Sequence, residues 1–371
     1  MVQWQEFVRE DVQNQLVSRL KLRGRNLLAM MMEADQIREE QVGDTVTFIR
    51  NQNINFSNIC YVGCKFCAFA AHEGSDHAYR MDEKELVEQA RNAHLRQVSE
   101  ICSTAGIDPK SDLEYYRYVL RTFSEFAPNV HIHAFSPFEI HYLAQKEEES
   151  YDTIIQELKN AGLKTLCGTA AEILVPRVRE IICPNKLTVD EWIEIIMTAH
   201  SSGLKSTATI MYGHVETVEE IATHLQIIRG IQEETGGFTE FIPLPFIHQK
   251  TRLYQTGKAR AGSTGMEDLA LLAASRIYMG DVIPNLQSSW VKTGMKFATF
   301  ALTAGVNDIG GTLFEERISR FAGASHGVYQ PEEEFIRFIL DAERIPARRD
   351  TLYNILETFK ELPQRDVVLL T

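Results

Sequence analysis

Between residues 51 and 310 the chain alternates two apolar patterns. Short runs rich in Ile, Val, Phe and Thr predict strands at 54–59, 98–103, 130–135, 164–167, 205–210, 239–243, 282–286 and 306–309. Between them, apolar residues recur at three- and four-residue spacing and predict helices at 82–96, 113–126, 152–161, 189–200, 218–234 and 266–279. Thr188 stands before one of these helices with Glu191 three residues on, the pattern of a capping box. Upstream, Leu27, Leu28, Met31 and Met32 recur at helical spacing, so 1–45 reads as a helical extension. The stretch 331–371 reads as C-terminal helices packed on the outside.

Strands alternating with helices of this length imply βαβ units and a parallel sheet. Eight such strands predict an α/β fold, a (β/α)8 TIM-type barrel over 46–330 with extra N- and C-terminal helices. In a parallel barrel, chemistry gathers at the C-terminal strand ends. A cysteine cluster follows the first predicted strand, and His-containing or small polar segments follow most of the others: HIHAFSP, GTAAEI, MYGHVET, PLPFIH and NDIGGT.

Charge narrows the range of functions. Lys and Arg number 38 against 51 Asp and Glu, a net charge of −13. That balance disfavours a nucleic-acid or membrane-surface binder. No apolar run is long enough to span a bilayer, and the start MVQWQEFVREDVQNQ lacks the basic and apolar regions of a secretory signal. The six cysteines are too few and too clustered for a disulfide framework, so a reducing cytoplasmic location is expected.

Cys60, Cys64 and Cys67 form C-x3-C-x2-C, three thiols in eight residues with Gly63 between them. Thiolates are soft ligands for iron–sulfur clusters or zinc. A structural zinc site needs four protein ligands, and only three are local; His72, His77 or Cys102 would have to supply the fourth. A redox CxxC at Cys64 and Cys67 leaves Cys60 unexplained. A [4Fe–4S] cluster on three cysteines keeps one iron open to chelate a small molecule. Cys102, Cys167 and Cys183 have no partner spacing and read as buried small residues.

The segment NQNINFSNICYVGCKFCAF, with Phe66 as the aromatic residue of the motif, resembles the radical S-adenosylmethionine (SAM) signature. Further stretches resemble the tyrosine–diaminouracil 4-hydroxybenzyl transferase family of deazaflavin biosynthesis: HIHAFSPFEI (131–140), GTAAEIL (168–174), ICPNKLTVDEW (182–192), STATIMYGHVET (206–217), FTEFIPLPFIH (238–248), PNLQSSWVKTG (284–294) and NDIGGTLFEERISRFAGASHG (307–327). The resemblance spans about residues 25 to 360. It implies a [4Fe–4S] cluster on Cys60, Cys64 and Cys67, with SAM on the open iron. It also implies a reaction in which a 5′-deoxyadenosyl radical fragments L-tyrosine and the 4-hydroxybenzyl group joins 5-amino-6-(D-ribitylamino)uracil. A ferredoxin or flavodoxin would supply electrons, and a second radical SAM enzyme would complete the deazaflavin. One stretch departs from the family's pattern: CSTAGIDP (102–109) has Thr104 and Ala105 in place of a Gln-Gly pair and Asp108 in place of a His. That departure keeps open a sister enzyme, such as one of the futalosine (menaquinone) pathway, or a paralogue with another substrate. A non-catalytic iron–sulfur or zinc protein is the alternative from another class.

The resemblance and the strand-end rule together give the candidate site. His133 and His214 are the catalytic candidates, each with a structural histidine as its plain alternative. Phe66, Thr104, Glu172 and Arg179 are candidates for SAM, the carboxylate for its ribose or amine and the guanidinium for its carboxylate. A surface salt bridge would equally explain the last two. Ser136, His248, Asn307 and Asp308 are candidates for substrate contact.

Overall fold

The computed structural model describes residues 3–363. A 3-10 turn Trp4–Phe7 and helices Glu10–Leu20 and Gly24–Val42 precede the sheet. The strands are β1 Thr45–Ile49, β2 Asn51–Asn53, β3 Glu100–Ser103, β4 His131–Ala134, β5 Thr165–Leu166, β6 Lys205–Tyr212, β7 Phe238–Pro245, β8 Asp308–Gly311, β9 Ile345–Arg349 and β10 Ile355–Thr358. One sheet runs β2-β3-β4-β5-β6-β7 and the other β10-β9-β1-β8. Only Arg50 separates β1 from β2, so the two act as one strand joining both sheets. On the other side, parallel bridges Phe241 to Leu286 and Gln287 to Asp308 carry β7 across to β8. The ring therefore closes through eight strand positions, as the TIM-type reading expected.

The helices between strands are amphipathic and capped, and they form the outer layer. Helix Leu113–Phe126 buries Tyr116, Val119, Leu120 and Phe123 along one stripe, and Asp112 accepts from the Tyr115 N–H at its start. The Thr188–Glu191 capping box is present before helix Val189–Ser201.

Several expectations differ from the structure: the strand expected at 282–286 reduces to bridges at Leu286 and Gln287, helix Pro137–Glu147 has no counterpart among the expected helices, and two larger differences follow. The first strand is not 54–59 but 45–53, whose polar residues Asn51 and Asn53 face the barrel lumen. Residues 54–59 instead run alongside 102–106 in an irregular ladder. Ser103 Oγ donates to Ile54 O at 2.6 Å, Asn55 Nδ2 to Thr104 O at 2.8 Å and Gly106 N to Ser57 O at 2.8 Å. A Cβ on Gly106 would lie 2.3 Å from Ile59 O, so only glycine permits this approach. The second difference is 331–371, expected as helices. Its described residues hold one helix, Glu332–Asp341, and then β9 and β10. β9 pairs with β1 in parallel, and β10 folds back on it antiparallel. The expected helix over 364–371 lies outside the described residues.

Candidate functional site

The cysteine loop leaves residues 54–59 and is pinned by backbone bonds on several sides. Tyr61 N donates to Ile107 O, Lys65 N to Ile182 O and Leu253 N to Lys65 O. Asn185 Nδ2 donates to Val62 O at 3.1 Å. Gly63 takes φ +73°, the left-handed turn that lets Cys60, Cys64 and Cys67 face one cavity. All three thiols are free. Burial pushes the Cys64 and Cys67 thiols up, against the nearby Lys186 charge. Three soft donors on one short loop, with no fourth protein ligand lining the cavity, suit a cluster with one open iron better than a four-ligand zinc site.

This cavity holds about 140 Å³ and is lined by Phe66, Thr104 to Ile107, Ser136, Phe138 and Lys186 besides the cysteines. Lys186 Nζ sits 5.6 Å from the Phe66 ring centre and 5.7 Å from that of Phe138, and pairs with Glu172 at 2.7 Å. Burial favours loss of its proton, but Glu172, Cys64 and Cys183 outweigh that and hold it charged. Lys186 is thus the cation of this cavity, a role the sequence suggested for Arg179. Arg179 lines no part of the cavity, and its guanidinium donates to the carbonyls of Leu187, Ala170 and Ala171. Glu172 acts through Lys186 and adopts φ +47° at the turn after β5.

Ser136 reaches the cavity wall while capping helix Pro137–Glu147. Its Oγ and N–H both donate to Glu139 Oε2, at 2.8 and 2.7 Å. Glu139 Oε1 accepts from Ala105 N at 3.1 Å. This fully buried carboxylate ties the altered 102–106 stretch to the helix. Burial raises its pKa to about 7 against the pull of the Ser136 bonds. Asp108, the other departure, pairs with Arg80 through Nε at 2.7 Å and a second, shorter contact through Nη2. Its place is structural, beneath the loop.

Thr104 and Ile318 also line a second cavity of about 240 Å³, the barrel lumen. The cluster-side cavity and the lumen therefore share a wall. Asn51, Glu100, His133, Thr207, Gln287 and Lys292 are among the polar groups facing the lumen. His133 Nδ1 lies 2.8 Å from Thr165 Oγ1, and burial keeps its pKa below the ordinary value. Burial also lowers Lys292, against the charge of Glu316.

The other candidates lie elsewhere. His214 lies two residues past β6 with both ring nitrogens engaged, Nε2 with Met211 O and Nδ1 with Val215 N, each at 2.8 Å. Its ring locks a turn and lines neither cavity. Asn307 Oδ1 accepts from Arg276 and from Leu286 N, and Nδ2 donates to Asn285. Asp308 is held by Thr47, Arg349 and Gly310 N. Neither lines the lumen, because the backbone needs these atoms to join β8 to its neighbours. His248 packs its ring edge-on against Tyr254, centres 4.5 Å apart, away from both cavities. Lys186, Glu139 and Lys292 were missed; a basic residue inside an otherwise apolar, Pro-flanked segment such as ICPNKL is the signal that could have singled out Lys186.

A closed parallel barrel that opens beside a three-cysteine loop defines the radical SAM class. A family model of the radical SAM superfamily matches residues 54–228, and one for the CofH/MqnC C-terminal region matches 235–362. With that class come a [4Fe–4S] cluster and SAM as cofactors. Among solved structures, methylornithine synthase aligns with TM-score 0.70 at 16% identity, covering 91% of this chain and 94% of that one. A maturase of the [FeFe]-hydrogenase aligns with TM-score 0.65 at 15% identity, covering 93% and 76%. These two show the fold. The 5-amino-6-(D-ribitylamino)uracil–L-tyrosine 4-hydroxyphenyl transferase of Methanothermobacter thermautotrophicus is 48% identical over 334 residues, 90% of this chain and 91% of that protein. Its counterpart from Methanocaldococcus jannaschii is 48% identical over 327 residues, covering 87% and 91%. The chain belongs to this family of 4-hydroxyphenyl transferases.

Proposed function

We propose that the chain transfers the 4-hydroxybenzyl group of L-tyrosine to 5-amino-6-(D-ribitylamino)uracil, in the cytoplasm. The observation that carries this is 48% identity over 90% of the chain to transferases of that name. The junction of the two cavities at Thr104 and Ile318 supports it, because a radical formed at the loop then reaches a substrate in the lumen.

Cys60, Cys64 and Cys67 hold three irons of the cluster in this reading. When bound, the cluster and SAM supply the 5′-deoxyadenosyl radical that takes a hydrogen atom from tyrosine. Lys186 offers a fixed positive charge for the SAM carboxylate. The backbone of Thr104 to Gly106, clamped by Glu139, and the ring of Phe66 line the cavity and would hold the SAM amino end there. In the lumen, Asn51, His133 and Gln287 offer donors and acceptors that orient two polar substrates. Lys292 adds an ammonium group to the lumen wall. Ile49, Ile242, Leu244 and Leu313 line the same cavity and exclude water from the reacting groups.

An acidic ferredoxin or flavodoxin suits a groove beside the loop. It holds about 740 Å³ and is lined by Lys250, Arg317 and Arg320, with Glu315 and Glu316 between them, so its net charge is slightly positive. A second radical SAM enzyme would then close the deazaflavin ring.

The test is an anaerobic reaction of reconstituted protein with dithionite, SAM, L-tyrosine and the aminouracil, followed by mass spectrometry. Deoxyadenosine with a hydroxybenzyl–uracil adduct is expected. Deoxyadenosine without the adduct refutes this substrate pair.

A further inference from the structure

Two thiols in the barrel lumen have no part in the proposed reaction, and both lie beside His133. Cys102 on β3, His133 on β4 and Cys167 just beyond β5 each bring one ligand atom to within 4.8 Å of the other two. The sequence separates them by more than thirty residues each, which is why they look like isolated residues there. The parallel register brings them together. Cys102 is the direct neighbour of His133, and His133 of Thr165, two residues before Cys167. Residues two apart on a strand share a face, so all three side chains turn into the lumen, and all three line its cavity.

A disulfide does not explain the pair of thiols. β4 lies between β3 and the strand that leads to Cys167. Two interstrand spacings put their backbones about 9.6 Å apart, and a disulfide needs Cα atoms within roughly 7 Å. A cation between the side chains meets no such limit. Ligand atoms bound tetrahedrally at about 2.0 to 2.3 Å from one ion lie about 3.3 to 3.8 Å apart, so these three, within 4.8 Å of one another, need draw in by at most about 1 Å to close on it.

The imidazole is already oriented for such a role. Thr165 Oγ1 holds His133 Nδ1 at 2.8 Å, which leaves Nε2 as the ligating nitrogen. A metal-bound histidine is commonly fixed by a hydrogen bond at its other nitrogen in this way. Glu100 lies two residues before Cys102, on the same face, and lines the same cavity, so its carboxylate adds to the attraction for a cation. The charge also balances. Binding a divalent ion releases one proton from each thiol, and two thiolates cancel the two positive charges, leaving no net charge in the buried site.

We propose that Cys102, His133 and Cys167 form a zinc site in the barrel lumen, separate from the iron–sulfur loop, with its fourth position open to the cavity. Two thiolates and an imidazole are the donors that zinc selects, and three protein ligands with one position open are the pattern of zinc sites that engage a small molecule.

The test is metal analysis of the cluster-loaded protein, and its readout is independent of turnover. The protein is stripped with a chelator under anaerobic conditions, given one equivalent of zinc chloride, desalted, and assayed for zinc and iron by mass spectrometry. Wild type is expected to hold about one zinc per chain beside its cluster iron. The double variant Cys102→Ser/Cys167→Ser should lose at least tenfold in zinc and keep its iron, and the retained iron shows that the variant folds. The triple variant Cys60→Ala/Cys64→Ala/Cys67→Ala should lose iron and keep zinc. Should the double variant not fold, zinc-edge X-ray absorption of wild type decides. It is expected to show two sulfur ligands at ~2.3 Å and nitrogen at ~2.0 Å. Wild type with less than a tenth of a zinc per chain, zinc unchanged in the double variant, or a zinc shell without sulfur overturns the proposal. None of these three results bears on whether the aminouracil adduct forms, so the two readings fail separately.

Discussion

The sharpest test of how this chain holds its altered 102–106 stretch is Glu139→Gln. Glu139 is fully buried and accepts three hydrogen bonds, from Ala105 N, Ser136 N and Ser136 Oγ. Glutamine keeps the shape but turns one acceptor oxygen into a donor. Whichever way the amide is flipped, a backbone N–H, of Ala105 or of Ser136, then faces another donor. An unsatisfied buried N–H costs about 1–3 kcal/mol. If Ala105 loses its bond, the wall of the cluster-side cavity is released, and SAM affinity should fall by about 5- to 150-fold. The pH dependence supplies an independent signature. The Glu139 pKa rises from 4.5 to about 7 on folding, driven by burial. A carboxyl raised in the folded state stabilises fully below its unfolded pKa, and that stability is lost as pH climbs through the folded pKa. Wild type should therefore lose about 3 kcal/mol between pH 4.5 and 7 through this group. Glutamine does not titrate, so the variant's unfolding profile should be flatter across that window. Anaerobic denaturant titrations at several pH values, with SAM binding by calorimetry, read both effects. SAM affinity within twofold of wild type, together with an unchanged pH profile, would refute the clamp.

Replacing any one of Cys60, Cys64 and Cys67 with Ala should abolish SAM cleavage and lower iron content after reconstitution, measured by iron assay and deoxyadenosine release. The charge reversals Lys250→Glu and Arg320→Glu should slow turnover driven by reduced flavodoxin about tenfold and leave dithionite-driven turnover intact; equal losses with both reductants would place the docking face elsewhere. Arg80→Ala should destabilise by about 3–5 kcal/mol, since it strands the buried Asp108 carboxylate. Asp108→Asn should cost less, because Arg80 is partly exposed and can turn to solvent; chemical denaturation compares the two.

Much of the barrel was legible because its period is strong. Six helices were placed from their apolar stripes, one of them also from its Thr188–Glu191 capping box, but Pro137–Glu147, with a capping box of its own at Ser136, was not. The first strand was misplaced because its upper half carries Asn51 and Asn53, which face a polar lumen rather than a dry core, and Arg50, which pairs with Glu332. Alternation of apolar and polar residues signals a strand only where one face meets apolar neighbours. The site divided along a similar line. The cysteine loop is local, so its spacing is visible. The Cys102–His133–Cys167 group is brought together by strand register, which leaves no mark in the sequence around it, whereas Lys186 enters from the loop before helix Val189–Ser201, far along the chain from the cysteine loop. Histidines and acids at strand ends misled in the opposite direction. His214, Asn307 and Asp308 sit where the barrel rule looks for chemistry, yet the turns and strand joints there consume their polar atoms.

The C-terminal strands escaped notice because β9 ends in Arg348 and Arg349, which no apolar pattern contains. Charge fastens them instead. Arg349 is buried at the lumen floor, with Nε 2.6 Å from Asp308 and Nη2 3.6 Å from Glu240, and its guanidinium lies 3.9 Å from the centre of the Tyr353 ring. Without Arg349, two carboxylates stay in the barrel with no cation, a loss of about 3–5 kcal/mol. If that uncompensated charge is the main cost, removing one carboxylate as well should return part of it. Arg349→Met should thus destabilise more than Arg349→Met/Asp308→Asn, and the double variant should differ from the sum of the single ones by at least 1 kcal/mol. Anaerobic urea denaturation of the four proteins completes the cycle. Additivity within about 0.5 kcal/mol would mean that Arg349 holds β9 by packing on Tyr353 rather than by its charge.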